Sequence, residues 1–271
     1  MSIFQALVLG ITQGLAEFIP ISSSGHLVLI PWLFQWQDPG LTFDVALHAG
    51  TLLALVVYFR RDLVELVIAF VLGLQKRSFA DPQAKLAGLL IIATVPGIIA
   101  GALLEQPAQT GFRAAWLVAI MLMALGVTLF AAEMFGKRYK DIEQMSLWDV
   151  VLVGVAQAFA IIPGVSRSGA TITMGLFRGI KRSSAARFSF LLGIPITAGA
   201  AAKHIYEVAR MGIPADEQAA FAVGVVSAAV VGFLAIAFLL RYLQRNSTLV
   251  FVAYRLVLGI AVLALALGRG S

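Results

Sequence analysis

The chain has 271 residues, no cysteine, three histidines and a formal net charge of +6. Hydrophobic residues make up 60% and charged residues 13%, where soluble domains carry about 25% charged, and the mean hydropathy is +0.93. These values exclude a disordered chain, a disulfide framework and a thiolate zinc site, and they disfavour a soluble enzyme or a histidine-only metal cage; they predict an all-α polytopic membrane protein of one domain, 1–271, whose basicity reflects loop topology and an anion site rather than nucleic acid.

Residues 1–16 carry no Lys or Arg, so they lack the basic region of a signal peptide and read as part of the fold. Residues 3–34 are apolar, but Pro20-Ile-Ser-Ser-Ser-Gly25 interrupts them. Each side of the break is too short to cross alone with comfort a bilayer core that takes roughly 20 apolar residues. The segment therefore reads as a re-entrant hairpin with a polar turn at depth, which is allowed where protein or a water-filled cavity surrounds the turn. A continuous kinked span is the alternative. Gln13 and Glu17, four apart, share one face of the inbound helix. A carboxylate there must be paired or neutralised, so Glu17 either locks the fold through an arginine or carries chemistry. Ser22, Ser23, Ser24 and Gly25 form the turn, and His26 follows. A hydroxyl before a helix start is a cap. The same geometry aims free N–H groups and the helix dipole at an anion. Next to Glu17 and three serines, His26 reads as a catalytic group that titrates near neutral pH.

Spans are predicted at about 41–59, 85–104 and 114–133. His48 lies in a small-residue stretch, His-Ala-Gly-Thr, that suits close helix packing. A second broken segment, 148–177, contains Pro163-Gly-Val-Ser-Arg-Ser-Gly169. Its Ser166, Ser168 and Gly169 repeat the first turn, and Arg167 adds a planar fork suited to phosphate oxygens. Further spans follow at about 186–204, 218–240 and 249–267, with His204 at a span end and interfacial. Arg167 and Arg255 lie at membrane depth, where an ionisable residue is a functional candidate. Arg255 could be a second anion ligand, a partner of Glu17, or an interhelical bridge to Asp44 or Glu133.

The two breaks are related. At an offset of 144, Gly10 matches Gly154, Gln13 matches Gln157, and Ser22, Ser24 and Gly25 match Ser166, Ser168 and Gly169. This predicts two repeats, about 1–135 and 145–271, each one hairpin plus three spans. Three is odd, so the second half is inverted, with the broken helices opposed near the midplane. On that topology 14 Lys and Arg residues fall on one side and four on the other, which makes the richer side cytoplasmic and both termini periplasmic. Walker P-loop, HExxH and GxSxG signatures are absent.

At these residues the sequence resembles the bacterial undecaprenyl pyrophosphate phosphatases of the bacitracin-resistance type. The resemblance rests on Gln13-Gly-Leu-Ala-Glu17, Pro20 to His26, Pro163 to Gly169 with Ala170-Thr171, Arg187-Phe-Ser-Phe-Leu-Leu, and Tyr254-Arg255, and so covers nearly the whole chain. Its first motif position is Gln here, where the family also uses Glu. The resemblance implies hydrolysis of undecaprenyl diphosphate to the monophosphate and inorganic phosphate, in the bacterial cytoplasmic membrane, at a site open to the periplasmic face. It implies a divalent cation, Mg²⁺ or Ca²⁺, for which Glu17 and Gln13 are the expected ligands. Arg167, Ser22, Ser24, Gly25, Ser166, Ser168, Gly169 and Arg255 are then expected at the diphosphate. The nucleophile is Ser23, His26 or a water; the reading leans to Ser23 with His26 as proton shuttle. Membrane lipid is the other expected partner, and a homodimer is left open. A polyprenyl-phosphate flippase or anion transporter is the rival reading of the same inverted repeat.

Overall fold

The computed structural model describes residues 1–111, 114–211 and 214–269, with the side chains in these except 105–111 and 203–211. Eleven α-helices succeed one another among the described residues: α1 (Ile3–Phe18), α2 (Ser23–Phe34), α3 (Leu41–Tyr58), α4 (Arg60–Gln75), α5 (Pro82–Gly111), α6 (Ala115–Phe135), α7 (Leu147–Ala158), α8 (Arg167–Phe177), α9 (Arg182–Met211), α10 (Gln218–Arg245) and α11 (Leu249–Arg269). Six of them, α3, α5, α6, α9, α10 and α11, contain stretches long and apolar enough to cross a membrane. They fall on the six expected segments. The side chains of His204, Arg113, Lys203 and Arg210 lie outside those described.

The helices turn their large apolar side chains outward, as lipid demands. On α1, Phe4, Leu7, Ile11 and Leu15 are exposed, while Gly10, Gln13, Gly14 and Glu17 face inward. That inward stripe of small and polar residues lets α1 lie against α10. A Cβ on Gly10 would meet the Gly224 carbonyl oxygen at 2.5 Å. Its sequence match Gly154, on α7, makes the same approach to the Ala93 carbonyl oxygen of α5, also at 2.5 Å. Small residues of this kind set the approach of membrane helices, where no hydrophobic force draws them together.

Both expected breaks are real interruptions, not kinks. The chain leaves α1 at Ile19 and restarts at Ser23, with Ser22 at φ +79°. It leaves α7 through a 3₁₀ turn, Phe159–Ile161, and restarts at Arg167, with Ser166 at φ +72°. Such a φ is rare for a residue other than glycine, and it recurs at matching positions. In each pair the two short helices pack together. At 11–16 residues they rise only about 17–24 Å, less than a hydrocarbon core.

Helix α4 occupies the stretch between the first two expected spans, for which the sequence reading names no element. Its apolar residues Val64, Val67, Ile68 and Val71 recur at helical spacing and are exposed, while Leu66 and Gly73 are buried. Sixteen residues containing Arg60, Arg61, Asp62 and Glu65 make too short and too charged a run to register as a span.

Two buried carboxylates tie the loops at one end of the molecule. Glu133, at the end of α6, accepts from Arg138, Arg182 and Thr248. Asp149, in the first turn of α7, pairs with Lys140 at 3.0 Å and Arg178 at 2.8 Å. Burial alone would raise its pKa; the Ser146 N–H, Lys140 and Arg178 outweigh burial and hold the carboxyl down at about 2. Lys181 pairs with Asp141, and Arg187 with Asp62. Much of the basic side of the sequence is thus bound into the loops.

Candidate functional site

Glu17 sits in the last turn of α1, just before the break. Phe18 after it packs edge-on against Phe190 of α9, with ring centroids 5.3 Å apart. Both rings are buried, and Glu17 itself is 7% exposed. Its carboxylate gathers groups from both hairpins. Ser23, at the start of α2, donates its hydroxyl to Oε2 at 2.6 Å. Gln13, one turn back, donates Nε2 to the same oxygen at 3.2 Å. Arg167, the first residue of α8, donates Nη2 to Oε1 at 2.8 Å. Arg167 is aimed by a second bond, from Nη1 to the Ser189 carbonyl at 3.1 Å. The hydroxyl of Ser189 meets that of Thr171 at 2.6 Å, which joins α8 to α9. Among the residues singled out from sequence, the structure therefore brings together Gln13, Glu17, Ser23 and Arg167.

The remaining turn serines have more local duties. Ser22 Oγ accepts from the Gly25 N–H at 3.2 Å, and Ser166 Oγ accepts from the Gly169 N–H at 3.0 Å. Both are helix caps. This differs from the expectation that the Gly25 and Gly169 amides serve an anion, because each is already taken by its cap. The N–H groups of Ser23, Ser24, Arg167 and Ser168 are the ones a helix start leaves over for an anion. Ser24 and Ser168 hydroxyls lie 3.4 Å and 3.2 Å from those of Ser22 and Ser166.

His26 is not joined to Glu17. Its Nδ1 lies 2.7 Å from the Ser22 carbonyl oxygen. A carbonyl only accepts, so Nδ1 carries the proton. Nε2 then accepts the hydroxyl of Tyr254, 2.6 Å away. The histidine expected as a proton shuttle thus fastens the first turn to α11.

Arg255 is neither a partner of Glu17 nor bridged to Glu133. It is 0% exposed. Its guanidinium donates to the carbonyls of Leu122 (3.0 Å), Pro20 (3.1 Å), Gly164 (2.7 Å) and Val165 (3.3 Å). Pro20 belongs to the first turn, and Gly164 and Val165 to the second. The expected anion ligand is therefore a clamp that holds the two turns face to face.

Residues 6–261 match the family described as bacitracin resistance protein BacA. The chain belongs to this family. Curated relatives named undecaprenyl-diphosphatase include that of Moorella thermoacetica, 50% identical over 265 residues (97% of this chain and 98% of that one). That of Geobacter sulfurreducens is 49% identical over 270 residues (99% and 100%).

Three residues of this BacA-family site carry no role in the sequence reading. His48 of α3 places Nε2 3.7 Å from Glu17 Oε2. Its small neighbours suggested packing, yet a histidine within an apolar span is itself a signal. Tyr254 supplies the His26 partner. Gly193 leaves room for Arg167: a Cβ there would lie 2.1 Å from Arg167 Nη1. A single glycine within an apolar span gives no such hint in sequence.

Proposed function

We propose that this BacA-family chain hydrolyses undecaprenyl diphosphate to undecaprenyl phosphate and inorganic phosphate, recycling a lipid carrier of cell-wall synthesis. The observation that carries the reading is the single Glu17 carboxylate held between a serine of one hairpin and an arginine of the other. The names and near-complete overlap of the relatives supply the substrate.

Ser23 is the nucleophile in this reading. Its hydroxyl proton points at Glu17, which leaves an oxygen lone pair to attack the terminal phosphorus. As the new O–P bond forms, the proton passes to Glu17 and the bridging P–O bond breaks, releasing undecaprenyl phosphate. Water then cleaves the phosphoserine, and the serine regains a proton. Arg167 and the spare N–H groups at the starts of α2 and α8 stabilise charge on the transferring phosphoryl group, the main task in this chemistry. The polyprenyl chain lies against the apolar outer faces of the spans.

Gln13 and Glu17 suit a hard divalent cation such as Mg²⁺ or Ca²⁺. Gln13 Oε1 is buried with no hydrogen-bond partner, and Glu17 offers a second oxygen. Mg²⁺ is commonly bound by one or two carboxylates together with substrate phosphates. When bound it would neutralise diphosphate charge.

The matched turns, the paired approaches of Gly10 and Gly154, and the uneven Lys and Arg distribution support an inverted repeat in the cytoplasmic membrane, with both termini periplasmic and the site open to that face. Rapid-quench reaction with substrate labelled in its terminal phosphate tests the serine role. The expected result is labelled protein with wild type and none with Ser23→Ala, whose turnover falls at least about 10³-fold. Turnover by Ser23→Ala near the wild-type rate would overturn the serine role.

A further inference from the structure

We infer that α4 is an interfacial helix that binds anionic phospholipid at the membrane face where α3 ends and α5 begins.

Helix α4 joins two candidate spans. Only Phe59 separates it from α3, and residues 76–81 separate it from α5. Its 16 residues rise about 24 Å, short of a hydrocarbon core. Arg60, Arg61, Asp62 and Glu65 crowd its start. A helix this short and charged does not cross. Both of its ends therefore stay at one membrane face, and the helix lies along that face.

The sides of α4 meet different surroundings. Leu66 and Gly73 are buried toward the protein. A Cβ on Gly73 would meet the Ala84 side chain of α5 at 3.3 Å. On the opposite side Val64, Val67, Ile68, Val71 and Leu74 are exposed. Their spacing of three and four residues makes one continuous apolar face. Asp62, Glu65 and Lys76 fall between the two, along one flank. Protein behind, an apolar front and a polar flank fit the boundary between acyl chains and headgroups.

Charge selects the headgroup. Most cations at this end of the molecule are already neutralised. Arg138 and Arg182 pair with Glu133, Lys140 and Arg178 with Asp149, Lys181 with Asp141, and Arg187 with Asp62. Arg61, Lys76, Arg77 and Lys85 are exposed and make no ion pair among the described residues. Arg61 precedes the apolar face, Lys76 and Arg77 follow it, and Lys85 lies in the first turn of α5. Free cations at both ends of an immersed apolar face attract anionic headgroups. A second copy of the chain, packed on this face about a two-fold axis, would set its own cations against these. Lipid is therefore the occupant.

The chain has no cysteine, so a fluorophore on Val71→Cys reports this face alone. The full chain is reconstituted in phosphatidylcholine vesicles with and without phosphatidylglycerol. The expected result is quenching by brominated lipid and shielding from aqueous iodide, with the reverse for a fluorophore on Glu65→Cys. Brominated phosphatidylglycerol should quench Val71→Cys at least about threefold more effectively than brominated phosphatidylcholine. Lys76→Gln together with Arg77→Gln should cut that preference at least about twofold, while Lys137→Gln leaves it unchanged. These exposed substitutions should keep the wild-type unfolding temperature. Equal quenching by the two lipids, iodide access at Val71→Cys equal to that at Glu65→Cys, or energy transfer between labelled copies in place of lipid quenching would overturn the inference.

Discussion

At Glu17 one carboxylate has its two oxygens assigned to different tasks: Oε1 holds Arg167, and Oε2 holds Ser23. Arg167 favours the ionised carboxylate, and the ionised carboxylate orients the hydroxyl. The arrangement depends on the space that Gly193 leaves beside the guanidinium. Gly193→Ala puts a methyl group at 2.1 Å from Arg167 Nη1, so the arginine must move. The expected result is a fall in kcat of about 10–100-fold in a protein with its normal unfolding temperature. Steady-state kinetics beside a thermal melt check it. Unchanged kcat would mean that Arg167 is not held where the reaction needs it. Gln13, Glu17, Ser23 and Arg167 were legible in the sequence because each is a polar or ionisable group in an apolar setting, which has to be explained. Arg255 met the same criterion but lies among carbonyls. A guanidinium has five donors, and the sequence does not say whether a phosphate or the backbone uses them. Gly193 carries no chemistry of its own, so its role exists only in three dimensions.

The helical elements follow from apolar run length, and all six expected spans are present. The breaks follow from Pro, Ser and Gly within apolar runs. Helix α4 escaped because its signal is periodic rather than continuous, with charges at its start. Hairpin two hangs on Asp149, which links the first turn of α7 to Arg178 at the end of α8 and to Lys140 before it. Its carboxyl is held at about 2, below its ordinary 3.8. A depressed folded-state pKa means that the ionised form favours the fold. The stability it contributes is present above about pH 4 and is lost as pH falls through about 2. Melting temperatures in detergent should therefore drop for wild type across that window. Asp149→Asn should melt lower than wild type at pH 6, with the gap closing by pH 2. A constant gap between the two proteins at every pH would contradict the assignment.

At the scale of the whole molecule, two short hairpins meet from opposite halves and Arg255 binds both turns. On the proposed topology, six spans and two re-entrant hairpins put the termini on the same side. The chain has no cysteine, so single cysteines report topology without background. Ser2→Cys should react with a membrane-impermeant maleimide on intact cells or spheroplasts. Lys137→Cys, in the basic loop after α6, should react only after the membrane is opened. Labelling of both without opening the membrane would contradict the inverted repeat and the periplasmic site together.

In the proposed reaction, residues from both hairpins act on one diphosphate. Release of inorganic phosphate from undecaprenyl diphosphate by purified protein tests it most directly, with wild type, Glu17→Ala and Arg167→Ala compared in the presence of divalent cation and of chelator. The expected result is release by wild type, loss of at least about 10²-fold in each variant, and inhibition by chelator. Release by both well-folded variants at the wild-type rate would contradict a shared site. No release by well-folded wild type with metal present would contradict the enzyme itself and favour a carrier of the same lipid phosphate.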